Sequence, residues 1–406
     1  MDLLLRDTLS GRAKPVRHRR GHPVGLYVCG PTVYDGAHVG HARTYLFFDL
    51  VRRHLEAERI PVRHVMNVTN FEDKIDTRAA ELGVTWRSLA LREEAGFLRD
   101  LHALRILAPH FRPRASAFVP QMTEVARRLA RTGRVHREGD QWMYTPPARP
   151  RGVNFATAAD LAAHAVHEPG HPFPTGEGDA GEFMVWKLQE RPRPSWPGPW
   201  GAGTPGWHLE CYAMANELLG LPVDIHGGGT DLIFPHHYAE NEVALALRHR
   251  PFARIFVHPG LVLWEGSKMS KSKGNLIRLR AALEEAGPDA LRWYLLGRSL
   301  TDRFNWTTEG ARRAASEWGR IQRTLRLWLH PGVGGRVGWL RAHEVAEEVR
   351  RDIAADLATD RVFDHLRAWA TAIEGDPSGH VPHGERGRAV AALRDVERRT
   401  GLRFLG

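Results

Sequence analysis

Val24-Gly25-Leu26-Tyr27-Val28-Cys29-Gly30-Pro31 is a short apolar run that ends in a Gly-Pro pair, the pattern of a buried strand breaking into a loop. The pattern changes at His38. From there through Leu55 apolar residues return at helical spacing, and Val62 to Val68 reads as a second strand. Strand, helix and strand in that order form a crossover unit, so the two strands are expected to be parallel members of one sheet. Ligands of such sheets bind beyond the carboxyl ends of the strands, where Cys29 and Asn67-Val68-Thr69 fall.

Further along, residues 85–107 and 115–132 read as amphipathic helices, while 145–205 is rich in Pro and Gly with little periodicity, as expected of an insertion. The α/β pattern resumes at Val223-Asp224-Ile225-His226. Gly227-Gly228-Gly229 follows, then a helix from about Phe234 to His249 and a strand at Ile255-Phe256-Val257. After about residue 276 only helical patterns are visible, with a Pro- and Gly-rich linker near 331–337. The expected fold class is α/β, a Rossmann-like parallel sheet split by an insertion and followed by an α-helical C-terminal bundle. The expected divisions are 1–108 and 201–275 for the two halves of the sheet domain, 109–200 for the insertion, 276–335 for a first helical region and 336–406 for the bundle.

The chain has 406 residues, 42% of them hydrophobic and 26% charged, a soluble globular mixture with room for two or three cores. No apolar run reaches the length of a membrane span, and the start, Met1-Asp2-Leu3-Leu4-Leu5-Arg6-Asp7, has an acid where a secretory signal needs positive charge. A cytoplasmic protein with no membrane partner is expected. The formal charge of +10 favours a polyanionic partner, although the dominance of Arg also fits a genome-wide bias.

That bias makes the lysines informative. They stand at 14, 74, 187, 268, 271 and 273 only, and the last three share one window, Lys268-Met269-Ser270-Lys271-Ser272-Lys273-Gly274-Asn275. A charge run is most often a solvated loop, but compact ammonium groups on a Gly-ended loop between a strand and a helix suit a departing pyrophosphate. His38-Val39-Gly40-His41 opens a helix just after a strand and loop, where free amides and the helix dipole attract phosphate and Gly40 lets a nucleotide approach. Two histidines three apart on one face can donate to phosphate oxygens; alone, such a pair is more often a surface feature. Cys29 and Cys211 are too few for a disulfide framework, which leaves buried thiols or metal ligands.

The two signatures together resemble the class I aminoacyl-tRNA synthetases, whose paired motifs are His-Ile-Gly-His and Lys-Met-Ser-Lys-Ser. Leu26 to Asp35, Pro205-Gly206-Trp207-His208-Leu209-Glu210-Cys211 and His226 to His237 are similar to the cysteinyl-tRNA synthetase family, and the resemblance runs from about residue 3 to the end. It implies one zinc ion held by Cys29, Cys211, His236 and Glu240. It further implies a cysteine pocket of Gly30, Thr32, Thr69, Trp207 and Asp231, and catalysis by His38, His41, Lys268 and Lys271. ATP, with Mg2+, is implied to meet His38, Gly40, His41, Gly228, Gly229, Lys268, Ser270 and Lys271. Zinc favours thiolate and imidazole and can leave a position open for a substrate thiolate that serine's hydroxyl fills poorly.

Two departures bear on the site. The family's His-His-Glu-Asn-Glu becomes His236-His237-Tyr238-Ala239-Glu240-Asn241-Glu242, so that an alignment gap would nominate Glu242 in place of Glu240, and Asp-Asp-Lys becomes Glu72-Asp73-Lys74. The resemblance implies L-cysteine as substrate and tRNA(Cys) as acceptor, supported by Gly30 to Asp35, His41-Ala42-Arg43 and Asp73-Lys74-Ile75. The family's small anticodon-binding domain is expected to be absent. That shortness, with Trp264-Glu265-Gly266, also resembles the mycothiol-pathway ligase, whose acceptor is the amine of glucosaminyl-inositol, so a small amino-sugar acceptor stays open. A tRNA-binding paralogue without catalysis is the third reading.

Overall fold

The computed structural model describes residues 2–147, 181–269, 275–329, 336–375 and 383–404. Val24–Val28 is buried at every position, as a parallel strand covered on both faces must be. It pairs in parallel with Val62–Met66 on one side and with Val223–Gly227 on the other, and Ala253–Val257 completes the order beyond Val223–Gly227. The crossover read from residues 24–68 is present, with helix Val39–Ala57 between its strands. All four strands run the same way. Their carboxyl ends therefore gather Cys29, Asn67 to Thr69, Gly228 and His258 along one edge.

The insertion is more regular than its composition suggests. Strands Val135–Glu138, Gln141–Tyr144, Phe183–Leu188, Gly201–Pro205 and Trp196–Gly198 form an antiparallel sheet in that order, which corrects the reading of 145–205 as aperiodic. The reason is Trp186. Its indole is fully buried against Gly198 and Gly203, where any Cβ would collide with it, so those glycines serve close packing instead of marking loops. A second correction concerns residues after 276, where Phe304–Trp306 is a strand parallel to Val262–Trp264, which also pairs with Ser267–Lys268. Three residues are too few to display a period.

The remaining described chain is helical: Leu279–Ala286, Pro288–Leu296, Thr308–Trp328, Arg336–Ala354, Thr359–Gly375 and His383–Thr400. Arg292 ties this bundle to the sheet domain. Its guanidinium is fully buried and donates to Asp49 (2.7 Å), the Leu104 carbonyl (3.0 Å) and the Thr400 carbonyl. No helix among the described residues is long and apolar enough to cross a membrane.

Two buried imidazoles make the fold acid-sensitive. Burial, with Arg52 and His110 nearby, pushes His64 down to about 3, and burial with Arg399 beside it takes His54 to about 4. Neither ring nitrogen of His64 has a hydrogen-bond partner among the described residues. Both folded values lie below that of an unfolded histidine, about 6.5, so the unfolded chain binds more protons between them. The associated stability is full above about pH 6.5 and falls as pH drops toward 4 and 3, by up to about 8 kcal/mol for the two groups together at about 1.36 kcal/mol per pH unit. Urea midpoints measured from pH 7.5 downward should fall steeply below about 6.5, and His64→Leu should flatten that limb. An unchanged limb would remove His64 from the account.

Candidate active site and metal cluster

Cys29 leaves the sheet with its N–H donating to the Gly227 carbonyl (2.8 Å), and Cys211 projects from helix His208–Leu218. Their sulfurs lie 3.5 Å apart, and both are buried and free of a disulfide. His236 Nε2 sits 3.4 Å from Cys211 Sγ and 2.9 Å from Glu240 Oε1, which is 3.8 Å from Cys29 Sγ. The donor atoms of Cys29, Cys211, His236 and Glu240 all lie within 4.8 Å of one another. Zinc held tetrahedrally at about 2.0–2.3 Å from each donor needs donors roughly 3.3–3.8 Å apart, a spacing that the Cys29–Cys211, Cys211–His236 and Cys29–Glu240 pairs have and that the His236–Glu240 pair reaches with a small widening.

The charge balance of the cluster points the same way. Burial pushes the Cys29 thiol up, but the Cys211 hydrogen bond and the His237 and His236 charges outweigh it and hold Cys29 well below the thiol range. Cys211 is raised, by burial first and then by Cys29. Burial and Cys29 also push Glu240 up, yet His236 and His226 bring it down to about 2. Against burial, Glu240 raises His226 to about 9 and lifts His236 well above its usual value. Two anions are thus balanced by two imidazolium protons in a buried site. A dication supplies the same balance and releases those protons, so the residues present fit a bound metal ion.

Glu240, and not Glu242, reaches this cluster. Helix Tyr238–Arg248 starts after an irregular turn at Ile233–His237, later than the helix expected from Phe234, and that register turns Glu240 toward the sulfurs. Glu242 stands apart, and burial raises it to about 7.

Several neighbours were not singled out by the sequence reading. His226 Nε2 bonds Glu240 Oε2 at 2.7 Å, and His237 Nε2 lies 3.3 Å from Cys29 Sγ, so Cys29, His226, His237 and Glu240 form a second set with metal-ligand spacing. His237 is linked through His258 (2.7 Å) to Thr8 (2.8 Å). Trp207 stacks on the His236 ring at 4.1 Å. Thr69 donates its hydroxyl to Glu210 (2.7 Å), whose carboxyl burial raises to about 8. The clues available in sequence were that His226 ends a strand and His237 adjoins His236.

Above the cluster opens a cleft of about 360 Å³. Cys29, Gly30, Thr32, Trp207 and Asp231 line it together with His38, Gly40, His41, Gly229, Lys74 and Met269. Thr69 lies beneath Thr32 in a parallel bridge, and Gly228 is not among the lining residues. A side chain at Gly30 would strike the Asn67 carbonyl, so only glycine brings the Cys29 loop this close to the neighbouring strand.

His38 is the N-cap of helix Val39–Ala57 and not a residue of its first turn. Its Nδ1 accepts from the Gly40 N–H (3.1 Å), the Nδ1 of His41 accepts from the His38 N–H (3.4 Å), and the rings stack at 3.8 Å. A ring that accepts at Nδ1 carries its hydrogen on Nε2, so both histidines present Nε2–H as the donor. Ser267–Lys268 leads to the lysine window, but the Lys268 side chain, Ser270 and Lys271 lie outside the described residues.

Residues 15–316 match the family of class I (C) tRNA synthetase catalytic domains. The chain belongs to that family. This synthetase is 38% identical over 378 residues to the cysteine–tRNA ligase of Paramagnetospirillum magneticum, covering 92% of this chain and 80% of that one. It is 37% identical over 330 residues to the cysteine–tRNA ligase of Thermococcus onnurineus, with 80% and 68% covered. Among solved structures, Mycobacterium tuberculosis methionyl-tRNA synthetase bound by methionyl-adenylate aligns with a TM-score of 0.61 at 18% identity, covering 93% of this chain and 88% of that one. An Agrobacterium radiobacter synthetase, LeuRS, in a ternary complex with tRNA aligns at 0.65 and 11% identity, covering 94% and 84%. These likenesses establish the Rossmann-like class I fold with its helical continuation.

Proposed function

We propose that this synthetase activates L-cysteine with ATP and transfers the cysteinyl group to tRNA(Cys). The observation that carries the reading is the buried cluster of two cysteines, His236 and Glu240, with Cys29 opening onto the cleft that holds His38 and His41. The named relatives are cysteine–tRNA ligases, and no observation favours an amino-sugar acceptor. In this reading residues 1–108 and 201–275 make the catalytic domain, apart from Gly201–Pro205, which pairs within the insertion's sheet, 109–200 the insertion, and 276–335 and 336–406 the helical regions.

The substrate carboxylate attacks the α-phosphorus of Mg2+-bound ATP, a P–O bond forms to the amino acid, and the bond to pyrophosphate breaks. An acceptor-ribose hydroxyl then attacks the acyl carbon, and AMP leaves. His38 and His41 donate Nε2–H to phosphate oxygens at the positive end of a helix, while Gly40 and Gly229 leave room for the nucleotide. Lys268 and Lys271 meet the charge on the departing pyrophosphate. Asp231 attracts the substrate ammonium, with Gly30, Thr32 and Trp207 closing the side-chain pocket and Thr69 supporting it from below. Cys29, Cys211, His236 and Glu240 would hold a zinc ion, which when bound would supply a borderline-soft Lewis acid for the substrate sulfur.

Cysteine-dependent ATP–pyrophosphate exchange tests this reading without any acceptor. Exchange with cysteine should exceed that with serine by far more than the roughly 10–200-fold that one small change in an apolar pocket yields. Equal exchange with serine would sink it. Charging of total tRNA, set beside consumption of glucosaminyl-inositol, then decides the acceptor.

A further inference from the structure

The amino ends of the parallel strands carry a feature that the cleft does not use. Between Ala13–Pro15 and the starts of Val24–Val28, Val223–Gly227 and Ala253–Val257 lies a groove of about 560 Å³. Lys14, Arg17, His18, Arg19, His22 and Arg254 line it. Its one carboxylate, Asp224, is engaged: it accepts from the Gly25 N–H (2.8 Å) and pairs with Arg254 (3.2 Å), while Lys14 pairs with Asp7 (2.7 Å). Of the lining residues, Arg17 and Arg19 are exposed and have no acidic partner among the described residues. No Asp or Glu occurs between Asp7 and Asp35.

We propose that this groove is a second, sequence-independent binding site for the phosphate backbone of structured RNA, separate from the catalytic cleft. Uncompensated guanidinium groups match phosphate in charge and geometry, since each fork can bind two phosphate oxygens at once. The segment is a strand and loop with no exposed aromatic anchor and no amphipathic helix, which argues against a membrane surface as the occupant. Five-residue strands at about 3.3 Å per residue put the groove ~16 Å from the cleft edge, so an RNA end held in the cleft does not itself occupy the groove.

The test is binding of total tRNA and of an unrelated RNA hairpin to the full chain over a salt series. A hairpin cannot be charged, so its binding is independent of the proposed aminoacylation. Arg17→Ala/Arg19→Ala should weaken both RNAs at least about tenfold and reduce the slope of log affinity against log salt by about 1.8, at about 0.9 per contact. Arg17→Lys/Arg19→Lys should retain the slope, and cysteine-dependent exchange should be unchanged in both variants. An unaltered slope in the alanine variant, no salt-sensitive hairpin binding by the parent protein, or loss confined to vesicles of phosphatidylserine and phosphatidylcholine would each overturn the proposal.

Discussion

Cys211→Ser is expected to be purified without zinc and to have lost cysteine-dependent pyrophosphate exchange by at least about 10²-fold, since removing even an outer partner of a zinc ligand costs 10–100-fold in affinity or activity. The sulfur lies 3.4 Å from His236 Nε2 and 3.5 Å from Cys29 Sγ, so its loss removes a donor at the centre of the cluster. Metal content read by mass spectrometry is the primary measurement, because it does not depend on activity. His237→Asn is the companion variant. If zinc stays in Cys211→Ser and leaves in His237→Asn, the ion is held by Cys29, His226, His237 and Glu240, and the assignment to Cys211 and His236 is wrong. His226→Gln should weaken metal binding by a smaller factor, roughly 10–100-fold, because His226 bonds Glu240 from outside the favoured set.

Arg292→Met is expected to destabilise the protein by about 3–5 kcal/mol, the range for removing one partner of a buried ion pair. Asp49 stays fully buried after the change, although Arg53 still reaches it at 2.8 Å and moderates the loss toward the lower figure. The carbonyls of Leu104 and Thr400 lose their donor as well. Arg292→Met combined with Asp49→Asn should recover part of the stability, because no uncompensated charge is then buried. Urea midpoints of the two variants beside the parent check this, and a single variant within about 0.5 kcal/mol of the parent, the scatter of neutral surface changes, would show that the tie between sheet and bundle is dispensable.

Local pattern carried much of this protein. The crossover at 24–68, the four parallel strands and the two signature motifs depend on residues close in the chain, where apolar period, a Gly-Pro break and a helix start are all visible. The insertion sheet was hidden because Gly198 and Gly203 answer to Trp186 across strand pairings, and no local period records such a contact. The strand Phe304–Trp306 was hidden because its partner, Val262–Trp264, lies far upstream and the helices around it dominate the pattern.

The site divides along the same line. Sequence by itself determined the residue types: two cysteines in a chain with no others, a histidine pair at a helix start, and lysines kept in one window of an arginine-rich chain. Tertiary structure decided which carboxylate joins the sulfurs. Glu240 and Glu242 are two residues apart on one helix and so face different directions, and only the irregular turn at Ile233–His237 sets which of them points inward. The structure also decided that His226 and His237 share the anions of Cys29 and Glu240, because a buried charge must be balanced by whatever groups the fold brings within hydrogen-bond reach, however distant they are in sequence.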